Sequence, residues 1–173
     1  VLPFSMLCYV EACPHMDSRN WINCHVHAFE YFDGVSRILV PDNLKTGVIE
    51  NKKFEDPILN KSYQEMADYY GMAIIPARVE RPKDKGAAEG SVFSIATKII
   101  GILRNRTFFT FESLNNAIHI EMDKLNSEEF QKREGSRKSI YMDEEKDFMN
   151  PLPDQPFEFN EWKTATVQMN YHI

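Results

Sequence analysis

At 173 residues, with 43% apolar and 27% charged side chains, the chain has an ordinary globular composition and length enough for one good core plus an appendage. A net charge of −6 excludes a protein that coats nucleic acid over its whole surface, but leaves room for a local basic track, because screening confines each charge to about 8–10 Å. No apolar run is long enough to span a bilayer and no basic-then-apolar leader opens the chain, so a soluble, intracellular protein away from membranes is expected.

Val1 to Ser5 and Leu7 to Ala12 read as two short strands about a tight reversal, a hairpin with Cys8, Val10 and Ala12 on one face. Cys8, Cys13 and Cys24 are odd in number and suit reduced cytosolic thiols better than a disulfide framework. Asp17 or Ser18 caps a helix from about Arg19 to Phe32, with Gly34 near its C′ position. Its apolar stripe takes Trp21, Cys24, Ala28 and Phe32, widened by Ile22, Val26 and Phe29. Within it His25 and His27 stand at i and i+2, which do not face each other on a helix, so a shared metal is not expected.

Ile38 to Val40 reads as a strand apolar on both faces, of the kind found inside a sheet covered by helices on each side. Pro41 ends its ladder for want of an N–H. Gly47 to Pro57 is irregular and polar, a second helix runs from about Asn60 to Tyr70 and ends at Gly71, and Met72 to Ile75 is a buried strand stopped by Pro76. Arg78 to Lys85 forms a basic, proline-broken loop ahead of a helix from about Lys85 to Arg104, with Asp84 as N-cap, and Thr110 caps a further helix from Phe111 to about Leu125. Strands alternating with helices in this order predict an α/β mixed sheet flanked by helices. The expected division is a domain over residues 1–126, a charged then proline-rich linker over 127–156, and the opening of a small β module over 157–173. The chain is expected to be a fragment cut at both ends.

Two acids carry the candidate chemistry. Asp42 follows Pro41 at the C-terminal tip of a strand, where open α/β sheets place ligand sites, although Pro41-Asp42-Asn43 equally suits a turn. Glu89 stands near the start of the long helix among Gly86, Ala87, Ala88 and Gly90, on the face of Val92, Phe93 and Ala96, which is expected to pack on the sheet. A carboxylate on such a face is unfavourable unless paired or bound to a cation; the other reading is an acid solvated in the first turns of a helix. Carboxylates that hold two Mg²⁺ ions about 3.5–4 Å apart serve phosphodiester chemistry, and few protein ligands suffice where substrate phosphates complete the shell.

Several segments, in order, resemble bacterial insertion-sequence transposases of the IstA type: Val1-Leu2-Pro3-Phe4-Ser5, His25-Val26-His27-Ala28-Phe29-Glu30-Tyr31-Phe32 and, most specifically, Ile38-Leu39-Val40-Pro41-Asp42-Asn43-Leu44-Lys45-Thr46-Gly47-Val48. Tyr63 to Ala67, Pro82 to Lys85, Phe130 to Arg137 and Glu161 to Val167 extend the likeness over nearly the whole chain. The resemblance implies an RNase H-like integrase core lacking its first strand, a D-D-E carboxylate triad, Mg²⁺ or Mn²⁺ as a pair of ions, and DNA strand transfer. By motif position Asp42 matches the second carboxylate and Glu89 the third; no upstream Asp is present to serve as the first, so the fragment alone is expected to be inactive. Retroviral integrases carry a DNA-anchoring lysine one to two turns after the glutamate, but Phe93 and Ala96 stand there. Asn43, Lys45, Arg81, Lys83 and Lys85 are the expected DNA contacts, phosphate-directed and without sequence readout. Lys132, Arg133, Arg137 and Lys138 suit a second DNA segment or a neighbouring subunit. Implied partners are transposon ends, target DNA, further copies of the chain and an ATP-dependent helper, in the bacterial cytoplasm at the nucleoid. A catalytically inactive remnant that binds DNA or other subunits, or a nuclease without strand transfer, are the rival readings.

Overall fold

Asp17, in extended backbone, accepts the Asn20 N–H at 2.8 Å and starts α1 (Ser18–Phe32). The computed structural model that shows this describes residues 1–41, 47–50, 58–76 and 86–160, without the side chains of residues 48, 50, 58, 86–91 and 94. Asp33, at φ +50°, takes the left-handed position after the helix, so the turn expected of Gly34 is made one residue earlier. Gly34 instead lets Met149 approach: a Cβ there would stand 2.9 Å from the Met149 Cβ. The remaining described elements are β1 (Ile38–Leu39), β2 (Val48–Glu50), β3 (Ile58–Leu59), α2 (Lys61–Tyr69), β4 (Ala73–Ile74), α3 (Gly86–Leu103), α4 (Phe111–Ser127) and α5 (Arg137–Ile140). A π-helical turn, Tyr141–Glu145, and a 3-10 turn, Lys146–Phe148, follow.

The buried stripe of α1 is Ile22, Val26, Phe29 and Phe32, a rotation away from the expected Trp21, Cys24 and Ala28, which are only half-buried. That stripe meets α2 and β4 in a core of Val35, Tyr63, Met66, Ala67, Tyr70 and Met72. A second core joins α3 to α4 through Ile95, Ile99, Leu103, Ala117, Ile118, Met122 and Leu125, with Cys8 inside it. A third, smaller group of Leu2, Leu7, Phe32 and Tyr141 closes the end of α1. The molecule is therefore organised about α1.

Three expectations are corrected. The N-terminal hairpin is not paired as strands: Leu2 and Leu7 close a reversal (Leu2 N–H to Leu7 C=O, 2.9 Å), but no ladder continues from it. Residues 7–12 bind α4 instead, where Cys8, Val10 and Ala12 turn alternate N–H groups to Asn126 Oδ1, Met122 Sδ and Asn115 Oδ1 at 3.2, 3.1 and 2.8 Å. β1 is not covered on both faces, since Ile38, Val40 and Ile75 are 52–57% exposed while Leu39 and Ile74 pack on the first core. The stretch read as irregular contributes β2, paired antiparallel with β3 through Val48 and Leu59, and Gly47 fits closely against Trp21 and Tyr63.

The segment expected to leave the domain as a linker folds back on it. Val35 and Asn150 exchange backbone bonds of 2.9 and 2.8 Å, Tyr141 donates to the Phe32 carbonyl at 2.5 Å, and Phe157 and Phe159 pack on the first core. Residues 161–173, where the β module was expected to continue, lie outside the described residues.

Candidate functional site

The site is prepared by two adjacent parallel strands. β1 and β4 pair with Ile38 opposite Ala73 and Leu39 opposite Ile74, and the Ile75 N–H reaches the Leu39 carbonyl at 2.9 Å. Continuing that register sets Pro41 against Pro76, and both prolines are buried. Neither has an N–H, so the ladder ends on both strands at one level. Asp42 is the next residue after Pro41; nine intervening residues beyond Pro76, the chain enters α3 at Gly86, and its first turn contains Glu89. Asp42 and the loop leading to Glu89 thus depart from the same end of one strand pair.

Asp42, Asn43, Lys45, Arg81, Lys83 and Lys85 lie outside the described residues, and Glu89 is described by its backbone alone. The face reading for α3 is corrected. Val92 and Phe93 are 54% and 75% exposed, while Ile95, Ile99 and Leu103 make the buried seam with α4. α3 is apolar nearly all round, so its composition does not reveal which face is covered. The desolvation argument for a cation at Glu89 falls with that face; what remains is its place at the start of a helix open to solvent on the Val92–Phe93 side.

The second basic cluster divides. Arg133 donates to the carbonyls of Phe4 and Ser5 at 3.2 and 3.1 Å and lies 4.1 Å over the Phe130 ring, and Arg137 donates to the Leu125 carbonyl at 3.0 Å. Arg133 holds the N-terminal turn to the segment before α5, and Arg137 holds α4 to α5 itself; Lys132 and Lys138 remain exposed. His25 and His27 fall on different sides, as their spacing required. His25 bonds the Trp21 carbonyl and the Tyr63 hydroxyl at 2.7 and 3.1 Å, and burial lowers its pKa below the ordinary imidazole value. His27 pairs with Glu11 at 2.9 Å.

Sequence reasoning missed a cluster about Glu11. Its carboxylate accepts from Tyr9 Oη at 2.9 Å and contacts His27 Nδ1, and burial, with Glu11 and Cys13 nearby, pushes the Cys24 pKa up. Desolvation first, then the Glu11 bond, raises the Tyr9 pKa. The available signal was a pair of spacings, Glu11-x-Cys13 on an extended segment and Cys24-x-x-His27 on a helix. Elsewhere, a groove of about 570 Å³ between α3 and α4 is lined by Ile99, Gly101, Ile102 and Leu125, and holds none of the expected site residues. Among the described residues no three His, Cys, Asp or Glu groups are arranged to hold an ion, and no helix is long and apolar enough to cross a membrane.

No family model matches the chain. It is 38% identical, over 100% of its length and 33% of the relative's, to a Sinorhizobium fredii protein named "Putative transposase y4bL/y4kJ/y4tB". It is 26% identical, over 99% of its length and 43% of the relative's, to the Pseudomonas aeruginosa "Transposase for insertion sequence element IS21". The chain spans about a third of the length of the first curated relatives it matches. Among solved structures, the catalytic core domain of BIV integrase aligns over 82% of this chain and 81% of that one, with a TM-score of 0.60 at 13% identity. At that identity the likeness is one of fold, and the fold is the expected RNase H-like integrase core.

Proposed function

We propose that this chain is the catalytic core of an insertion-sequence transposase of the IstA type, a D-D-E polynucleotidyl transferase in which Asp42 and Glu89 are two of the acids. The observation that carries the reading is the matched end of β1 and β4, where Pro41 and Pro76 stop adjacent parallel strands and the chain goes on to Asp42 from one and toward Glu89 from the other. The transposase relatives, similar over nearly the whole chain, support it.

The donor chemistry fits Mg²⁺ or Mn²⁺. Both acids offer hard oxygens, and no cysteine or histidine stands within four residues of either in the chain. Asp42 and Glu89 would hold the metal, with a further carboxylate from outside this chain. Bound there, a pair of ions would supply activation of the attacking oxygen and charge stabilisation of the leaving one for phosphodiester cleavage and strand transfer. The chain's own residues do the positioning. Asn43 orients a phosphate or a water beside Asp42, and Lys45, Arg81, Lys83 and Lys85 fix the DNA backbone by charge without reading sequence. Transposon ends and target DNA are the substrates, and the whole protein acts as an oligomer with an ATP-dependent helper.

The test is Glu89→Gln and Asp42→Asn in the full-length protein, assayed by joining a labelled transposon 3′ end to plasmid and, separately, by DNA binding. Strand transfer falls to background while binding persists, because the substitutions remove metal oxygens and leave the basic contacts. Wild-type levels of joining in either variant overturn the assignment. Joining absent from the wild type with Mn²⁺ and helper supplied replaces it with the inactive remnant.

A further inference from the structure

The Glu11 cluster belongs to no step of the proposed reaction and lies where residues 7–13 run beside α1. Glu11 meets His27 at 2.9 Å, and the segment then leads through Pro14 to Asp17 into the start of α1, so it runs antiparallel to the helix. Two extended residues beyond Glu11 advance about 6.6 Å, and three helical residues back from His27 retreat about 4.5 Å. Cys13 and Cys24 are thereby brought level to within about 2 Å along their common direction. Residues two apart on an extended segment and three apart on a helix share a face, so Cys13 and Cys24 lie on the same sides as Glu11 and His27, which meet at 2.9 Å. Both cysteines are half-buried rather than sealed, and the Cys13 thiol donates to the His15 carbonyl at 3.4 Å. The third cysteine, Cys8, is fully buried against Asn126 in the second core.

We propose that Cys13 and Cys24 form a reversible oxidation site, a dithiol that hydrogen peroxide or another two-electron oxidant closes to an intrachain disulfide. Cys13 sulfur attacks the peroxide, the O–O bond breaks, and a sulfenic acid and one water form. Cys24 sulfur then attacks the Cys13 sulfur, the S–S bond forms as the S–O bond breaks, and the departing hydroxide leaves as a second water. Glu11 takes the Cys24 proton and passes it to that hydroxide. Two thiols are oxidised and one peroxide is reduced to two waters. The order follows from environment: burial, then the Glu11 charge, push the Cys24 pKa up to about 12, so Cys24 waits as a protonated thiol and Cys13 meets the oxidant first. A partly exposed thiol beside a resolving one is the arrangement of redox-sensing cysteines. The bond would staple residues 7–13, otherwise fixed by side-chain amides of α4, to α1.

The test treats the protein with hydrogen peroxide, blocks remaining thiols and maps peptides without reductant. Trypsin cuts after Arg19, between the two cysteines, so the bridge joins two peptides. The expected result is a Cys13–Cys24 link that dithiothreitol reverses, persists in Cys8→Ala and is absent in Cys13→Ser. In Cys24→Ser, dimedone traps a sulfenic acid at Cys13. The melting midpoint of the oxidised protein rises by roughly 5–10 °C. Free alkylation of both thiols after that treatment, or a bridge to Cys8 or to a second chain, overturns the proposal; neither result touches the assignment of Asp42 and Glu89.

Discussion

The two cores on either side of α1 are built from different materials. The first is aromatic and cross-bonded: Trp21 and His25, Phe29 and Tyr70, and His25 and Tyr63 meet edge-on at 4.7, 4.9 and 5.3 Å. Its rings are also tied by polar tips, Tyr63 to His25 and the Phe157 N–H to the Tyr70 hydroxyl at 3.1 and 3.0 Å. The second is aliphatic, a seam between α3 and α4 whose polar contacts lie at its rim: the α4 side chains that clamp residues 8–12, Tyr31 to Asp123 at 2.8 Å, and an exposed Lys98–Glu128 pair at 3.1 Å. β1, which leads to Asp42, and its partner β4 sit on the first; Glu89 is carried by a helix held to the second through one face. In the proposed enzyme the two acids therefore hang from differently anchored bodies, one fixed by rings and hydrogen bonds in several directions, the other by an apolar seam with one exposed ion pair at its edge.

Breaking the clamp should produce the largest change. Asn126 is fully buried; its Oδ1 accepts from the Cys8 N–H at 3.2 Å, and its Nδ2 donates to the Cys8 carbonyl and Tyr31 Oη at 2.8 and 2.9 Å. One side chain thus joins the N-terminal segment, α4 and α1. Asn126→Ala strands two buried backbone groups and leaves a void, for an expected loss of about 3–5 kcal/mol in urea denaturation. A loss under about 1 kcal/mol would mean that the seam is held by its apolar contacts alone, and would erase the contrast between the cores.

How far the sequence announced this arrangement depends on whether the information is local. Asp17, Asn60 and Thr110 each accept an N–H from the first turn of a helix, and each was recognisable from residue type and position alone. Pro41 and Pro76 likewise marked the ends of two strands, since a missing donor is a property of the residue itself. The hairpin misreading was non-local. Alternation at Cys8, Val10 and Ala12 was real, but what it met was a helix, through Asn115, Met122 and Asn126 at spacings of seven and four residues on one side of α4. Polar positions on that helix read as solvated until the partner segment is known. For the candidate site, Pro41 and Pro76 flagged the strand ends separately, whereas their shared level depended on strand pairing, and the uniformly apolar α3 gave no phase from which to choose its covered face.

The aromatic core can be probed by acid, with a smaller expected effect. Burial lowers the His25 pKa below the unfolded value of about 6.5. The folded state therefore favours the neutral ring while the unfolded chain takes up a proton. The stabilisation is complete above about pH 6.5 and is lost as pH falls from there toward the folded pKa, with a slope of at most about 1.4 kcal/mol per pH unit. In His25→Gln that part of the slope disappears. Parallel stability curves for the two proteins between about pH 6.5 and 5 would show that the ring titrates as freely in the folded state as in the unfolded chain.

The smallest expected effect is the most discriminating for α3. Phe93 is 75% exposed and Ile100 66%, on flanks of the helix that no described element covers, whereas Ile95 and Ile99 are buried. If one apolar seam is all that holds this helix, Phe93→Ser should change stability by no more than about 0.5 kcal/mol, as at surface positions without partners. A cost above about 1.5 kcal/mol, growing with protein concentration, would mean that a second copy covers the face. The same cost without concentration dependence would assign the cover to the rest of the same chain. Either result would give Glu89 a second anchor and make its support comparable with that of Asp42. A neutral outcome leaves the helix start free to approach the strand ends, as a site completed only on the proposed DNA substrate requires.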